Sequence, residues 1–212
     1  MNSLDFPDGL GSVLCIGAHC DDIEIGCAGA LLELSARHPK AHFHWAIFAS
    51  DDEREPESRL AAERLLGERC TTHIQRFRAS YLKYEGETVK DWFEAALKPL
   101  RPDLIFTHYL NDRHQDHNFL AELTWNTFRN HTILEYEIPK YEGDLAHPNV
   151  YVPLGDDSVT RKADMLMECF PSQHSRTWFK RDVFLAHLRL RGIECNAASG
   201  YAEAFHGRKL VL

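Results

Sequence analysis

Short apolar runs bounded by turn residues alternate with helical patterns along most of this chain. Ser12 to Ala18 (Ser-Val-Leu-Cys-Ile-Gly-Ala) reads as a buried strand, and Gly26 to Leu34 as a helix that opens with small residues able to approach the sheet closely. Ala41 to Phe48 is a second strand, with Phe43, Trp45 and Ile47 alternating against His42, His44 and Ala46. An acidic loop, Ser50-Asp51-Asp52-Glu53-Arg54-Glu55, precedes a helix with Pro56 in its first turn and Gly67 as its stop; Leu60, Ala61, Leu65 and Leu66 are its inward face. The pattern then predicts a strand over Thr72 to Phe77, a helix over Thr88 to Leu100, a strand over Asp103 to Thr107 and a helix from about Asn118 to Arg129.

Further strands are expected at Ile133 to Ile138 and Asn149 to Val152, further helices at Ser158 to Cys169 and about Trp178 to Leu190, and a short terminal strand at Lys209 to Leu212. Ala163, Leu166, Met167 and Phe170 share one face of the first of these helices. Regular strand and helix alternation predicts an α/β fold, a Rossmann-like three-layer sandwich with a mostly parallel sheet and right-handed crossovers. No internal repeat, low-complexity tract or linker interrupts it, and 212 residues suit a single domain spanning 1–212.

Composition narrows the functional classes. A net charge of −8 argues against a protein that holds nucleic acid or an anionic membrane through a basic surface. No apolar run reaches the roughly 18 residues of a transmembrane helix. Met1 to Pro7 lacks a basic segment followed by an apolar core, so no signal peptide is expected. The six cysteines form no Cys-x-x-Cys pair, which suits reduced thiols and a cytoplasmic location. Of the 13 histidines, His38, His42, His44, His73, His131 and His187 are scattered without ligand spacing and read as ordinary surface or core residues.

Two clusters stand apart: His19-Cys20-Asp21-Asp22 and His114-Gln115-Asp116-His117. Each follows a predicted central strand, and ligands of such sheets bind beyond the carboxyl ends of the strands, so the two converge on one site. A catalytic zinc site takes three ligands from His and Asp or Glu, leaving a position for water. His19, Asp22 and His117 can supply that set. Adjacent carboxylates do not readily reach the same ion, so one of Asp21 and Asp22 points elsewhere and is free to act as general base; spacing leaves open which. His114 can then face a reacting carbonyl, stabilising its oxyanion or protonating the leaving amine, with Asp116 setting the tautomer of that imidazole. Cys20, beside these residues, suits packing better than ligation, because a fourth protein ligand would close the site.

The stretch from Ala18 to Gly29 resembles the Ala-His-x-Asp-Asp-x-Glu-x-Gly signature of the LmbE/PIG-L family of zinc-dependent N-acetylglucosaminyl deacetylases, and His114-Gln115-Asp116-His117 resembles its His-x-Asp-His motif. Weaker echoes are Lys162-Ala163 with Ser172-Gln173, and Ala202-Glu203-Ala204-Phe205; the helix with Arg59 and Glu63 resembles the family's Arg-x-x-Glu helix. The resemblance implies His19, Asp22 and His117 as zinc ligands, Asp21 as general base, His114 as stabiliser of the tetrahedral intermediate with Asp116 behind it, and Arg59 reaching the substrate. It implies a hydrolase that removes an acyl group, above all acetyl, from an amino sugar or glycoconjugate.

Two departures bear on the substrate. Cys20 stands where many members have Pro, and the acidic loop replaces a Thr-x-Gly-Glu-type turn, which points to a different acceptor and disfavours a bare phosphate. An amidase acting on a non-sugar acyl amine is therefore an alternative, as is a non-catalytic protein that retains the metal for binding. A dinucleotide site is disfavoured, because Gly17, Gly26 and Gly29 miss the Gly-x-Gly-x-x-Gly spacing and His19 and Asp21 occupy the turn. A His₂Asp set also accommodates Fe²⁺, Co²⁺ or Ni²⁺ in place of Zn²⁺. Tyr81, Tyr84, Trp178 and Phe179 are candidates for a pocket rim, a homo-oligomer interface or the core.

Overall fold

The computed structural model describes Phe6 and residues 9–209. Its elements run β1 (Ser12–Gly17), α1 (Asp22–Arg37), β2 (His42–Ile47), α2 (Arg54–Leu66), β3 (Cys70–Ile74), α3 (Gly86–Ala96), β4 (Leu104–His108), α4 (Gln115–Thr127), β5 (Thr132–Tyr136), β6 (Val150–Pro153), α5 (Asp156–Cys169), α6 (Arg181–Glu194) and β7 (Ala202–Gly207). The strands form one sheet in the order β3-β2-β1-β4-β5-β7-β6. β1 to β5 are parallel, and β7 runs antiparallel to both β5 and β6. This is the mostly parallel α/β architecture that the alternation predicts.

Alternation along β1 divides the core. Val13 and Cys15 join Phe43, Trp45 and Phe106 beneath α1, α2 and α5, whereas Leu14 and Ile16 join Phe48, Phe93 and Leu120 beneath α3 and α4. Burial on both faces is why the central strands read as continuous apolar runs. Strand order reverses between β1 and β4, so their carboxyl ends open a crevice at the switch point. Among the described residues no helix is long and apolar enough to cross a membrane.

Several boundaries differ from the pattern. α1 begins at Asp22, four residues before Gly26, because Asp22 and Glu24 suit the positive first turn. β3 ends at Ile74 rather than Phe77. Leu60 is 40% exposed, and Ala62 takes its place on the buried face of α2. Trp178 and Phe179 precede α6, with Phe179 buried in the core. β7 escapes the pattern because Ala-Glu-Ala-Phe-His-Gly lacks β-branched residues. The terminal strand expected at 209–212 falls on residues beyond the described ones, except Lys209.

Gly26 fixes how α1 lies on the sheet. A Cβ there would sit 2.2 Å from the ring of Tyr136, whose hydroxyl donates to the Ile16 carbonyl at 2.6 Å. The ring is fully buried and has no room to retreat. Gly26→Ala is expected to destabilise the protein by about 1–3 kcal/mol through overpacking. Urea unfolding reads this as a lower midpoint at unchanged slope; an unchanged midpoint means that Tyr136 yields.

Candidate metal and catalytic site

The β1–α1 turn folds back on itself. The His19 N–H donates to Asp22 Oδ2 at 2.7 Å, and the Ile25 N–H donates to the Asp21 carbonyl at 3.0 Å, closing the first helical turn. Across the switch point, Asp112 Oδ1 accepts the His114 N–H at 2.8 Å, and His114 caps α4 by accepting the Asp116 N–H at Nδ1. The two sequence clusters therefore face each other across the crevice.

His19, Asp22 and His117 come together. His117 Nε2 lies 3.3 Å from His19 Nδ1, His19 Nδ1 lies 3.3 Å from Asp22 Oδ2, and His117 Nε2 lies 3.5 Å from Asp22 Oδ1. Ligand distances of about 2.0–2.1 Å in a tetrahedral zinc site give donor separations of roughly 3.3 Å, so these three fit one divalent ion. Cys20 stays outside the set: it is buried, its thiol points to the Ala49 carbonyl at 3.7 Å, and burial pushes its pKa up, away from the ligating thiolate.

Behind these donors stand carboxylates. Asp112 Oδ2 holds His117 Nδ1 at 3.0 Å and is itself held by Lys140 Nζ at 3.0 Å; Lys140 also pairs with Asp144. Asp116 accepts the Ser80 N–H at 2.6 Å and the Leu82 N–H at 3.2 Å, and faces His19 Nε2 at 3.3 Å. Both pairs have the carboxylate–histidine geometry that orients metal ligands. The Asp116 carboxylate backs His19 directly and lies within 4.8 Å of a His114 ring nitrogen, while the hydrogen bond between Asp116 and His114 runs from the Asp116 backbone N–H to Nδ1. His108 stacks on His117 with ring centroids 3.9 Å apart and accepts the Ala18 N–H.

Asp21 is buried beside the donors but not among them, and Arg54 Nη2 meets its Oδ1 at 2.5 Å. Arg59 does not enter the cleft. It pairs with Glu55 and donates to Thr72 Oγ1, lining a separate depression with Glu63. The Arg-x-x-Glu spacing is met instead by Arg54 and Glu57, three residues apart; Glu57 is buried and accepts from the N–H and hydroxyl of Ser172. Nor does the loop present its acids to the cleft. Asp51 accepts the N–H groups of Glu53 and Arg54, Asp52 pairs with Arg76, and Glu55 pairs with Arg59 and Arg76. What the loop sends inward is a guanidinium, so the expected bias against anionic acceptors is removed.

Burial is the largest single influence on these groups, and neighbouring charges overturn it at His19 and Asp22. Against burial, Asp22 and Asp116 raise the His19 pKa to about 10. Burial raises the Asp21 pKa against the pull of Arg54. Burial also opposes ionisation of Asp22, yet His117, His108 and His19 together hold its pKa well below the usual carboxylate range. His117 is pushed down to about 3 by burial and His108. His114 is lowered by burial and His19, which favours the neutral ring, and its capping bond at Nδ1 leaves the proton on Nε2. The site thus contains a basic carboxylate, an anionic carboxylate among histidine nitrogens, and a neutral N–H donor. Arg54, Lys140, Tyr141, Gln173, Arg176 and Trp178 line the rest of a cleft of about 320 Å³.

Residues 14–128 match the PIG-L family, GlcNAc-PI de-N-acetylase. Among solved structures, the N,N'-diacetylchitobiose deacetylase of Pyrococcus horikoshii is similar at 21% identity and a TM-score of 0.73, over 95% of this chain and 85% of that one. A 4-carboxy-2-hydroxymuconate hydratase, GalB of Pseudomonas putida KT2440, superposes at 15% identity and a TM-score of 0.76, over 95% and 97% of the two chains. The zinc-inhibited form of the teicoplanin deacetylase Orf2 does so at 15% identity and 0.72, over 92% and 97%. At these identities the likeness is one of fold, and the fold alone does not choose between a deacetylase and a hydratase.

Proposed function

The chain belongs to the PIG-L (GlcNAc-PI de-N-acetylase) family, and on that premise we propose that it is a divalent-metal hydrolase removing an N-acyl group, above all N-acetyl, from an amino sugar or glycoconjugate. The observation that carries this reading is the buried carboxylate of Asp21, beside three converging donors but not one of them, across from the N–H of His114. A binding site needs neither group. Zn²⁺, or Fe²⁺ in its place, held by His19, Asp22 and His117 supplies Lewis-acid polarisation of the amide carbonyl and an acidified water.

Asp21 takes the proton of the attacking water and delivers it to the leaving amine. Its raised pKa suits both steps. His114 donates Nε2–H to the oxyanion of the tetrahedral intermediate, and its neutral state leaves that proton in place at neutral pH. Asp116 and Asp112 hold His19 and His117 in orientation. Tyr141 and Trp178 line the cleft together with the cations Arg54 and Arg176, a mix of aromatic and charged side chains that suits a sugar.

The test is acetate release from a panel of N-acetyl sugars and glycoconjugates, with and without chelator. Release that needs metal supports the reading. Release from non-sugar acyl amines alone makes the protein an amidase of another class, and none from any acyl amine by metal-loaded protein makes it a binding protein.

Arg54 gives a pH signature. Its charge favours the Asp21 carboxylate, so Arg54→Gln raises the Asp21 pKa further and moves the acid limb of the kcat/KM profile to higher pH. An acid limb that stays in place assigns it to a group other than Asp21.

A further inference from the structure

A second group of imidazoles lies on β2 and β3, unused by the proposed chemistry. His42 and His44 stand two residues apart on β2 and so project from the same face; on β3, Thr71 pairs with His44 and His73 with Ala46. His44 Nδ1 and His73 Nε2 are 3.3 Å apart. The His42 ring lies 5.0 Å from that of His44, with its Nε2 turned to Thr71 Oγ1 at 2.9 Å. A separation of 29 residues between His44 and His73 hides this pairing from the sequence.

We propose that His44 and His73, with His42 as third donor, form a second metal site at the edge of the sheet, for an imidazole-preferring divalent ion of the Zn²⁺, Ni²⁺ or Cu²⁺ class. Three observations carry it. The His44–His73 separation equals that between His19 and His117 and matches the edge of a tetrahedral site, roughly 3.3 Å. All three rings are half-buried, neither sealed in the core nor free in solvent. Among the described residues none of the three forms an ion pair with a carboxylate. Burial, followed by His42 and His73, pushes His44 down to about 4, and burial lowers His73. Burial thus favours the neutral form of both rings, the form that ligates metal. As the side chains stand, only His44 and His73 converge; His42 Nε2 is held at Thr71 Oγ1, and completing the donor set requires its ring to turn away from that hydroxyl. An ion there ties the edge strand β3 to β2, independently of the catalytic chemistry.

Titration with Zn²⁺ alone, followed by calorimetry or equilibrium dialysis, tests the site. Wild type is expected to bind two equivalents, and His44→Gln/His73→Gln one, with hydrolytic activity unchanged. The second equivalent raises the Tm of wild type by several degrees more than that of the double variant at about 100 Kd of free metal. The same number of equivalents in wild type and double variant, or a Kd weaker than ~1 mM for the equivalent that the double variant loses, overturns the proposal. Should the double variant fail to fold, the imidazole NMR signals of His44 and His73 in wild type decide: they shift with the second equivalent, or the site does not exist.

Discussion

Asp21→Asn is expected to lower kcat by roughly 10²–10⁴-fold while leaving bound metal unchanged, because it removes proton-accepting capacity and little else. Asparagine is nearly isosteric, and its amide oxygen can still accept from Arg54, which meets Asp21 at 2.5 Å. Asp21 is not one of the three converging donors proposed to hold the metal, so metal content separates loss of the base from loss of the ion. Burial raises the wild-type carboxyl towards the pH at which a base works best, and asparagine has no such titration. The acid limb of the pH profile should vanish along with the rate. A metal-loaded Asp21→Asn enzyme with full turnover would place the base elsewhere, and the proposed mechanism would fall with it.

How much of this was legible beforehand depends on the kind of signal each residue leaves. β1 and β4 are apolar runs because both of their faces are covered, and the switch point between them follows from the alternation of strands and helices. That His19, Asp22 and His117 converge could be read because ligand-type residues cluster at strand ends. Asp112 and Lys140 could not. An aspartate in a loop before a helix looks like any turn residue, and Lys140 arrives from the β5–β6 connection to meet it, a pairing with no sequence period. Arg54 was obscured by the acids around it, whose charges are spent on Arg59, Arg76 and backbone N–H groups. A run of charges on a sequence states how many there are, not which way each one turns. The same blindness let Arg59 stand in for Arg54, although Arg59 and Glu63 are four residues apart where the motif needs three.

Asp22→Ala is expected to abolish tight metal binding and, with it, hydrolysis, a loss at least as large as that of Asp21→Asn. The Asp22 carboxylate is the sole anionic donor among His19, Asp22 and His117, and its depressed pKa keeps it charged down to acid pH, ready for a cation. Alanine leaves two imidazole donors without an anionic one and removes the oxygen that braces the His19 N–H, so the β1–α1 turn loosens as the ligand disappears. Asp112→Asn should act by degree: it weakens the hold on His117 without removing a donor, and metal affinity should fall about 10–100-fold. Chelator titration of the three proteins checks the order. Wild type should retain metal longest and Asp112→Asn lose it at lower chelator, while Asp22→Ala should emerge from purification without it and show no rise in Tm from filling this site. Equal retention in Asp22→Ala and wild type would mean that the ion lies on a different set of side chains, for which His108, Asp112 and His117, or His19, His114 and Asp116, whose donors also converge, are the next candidates.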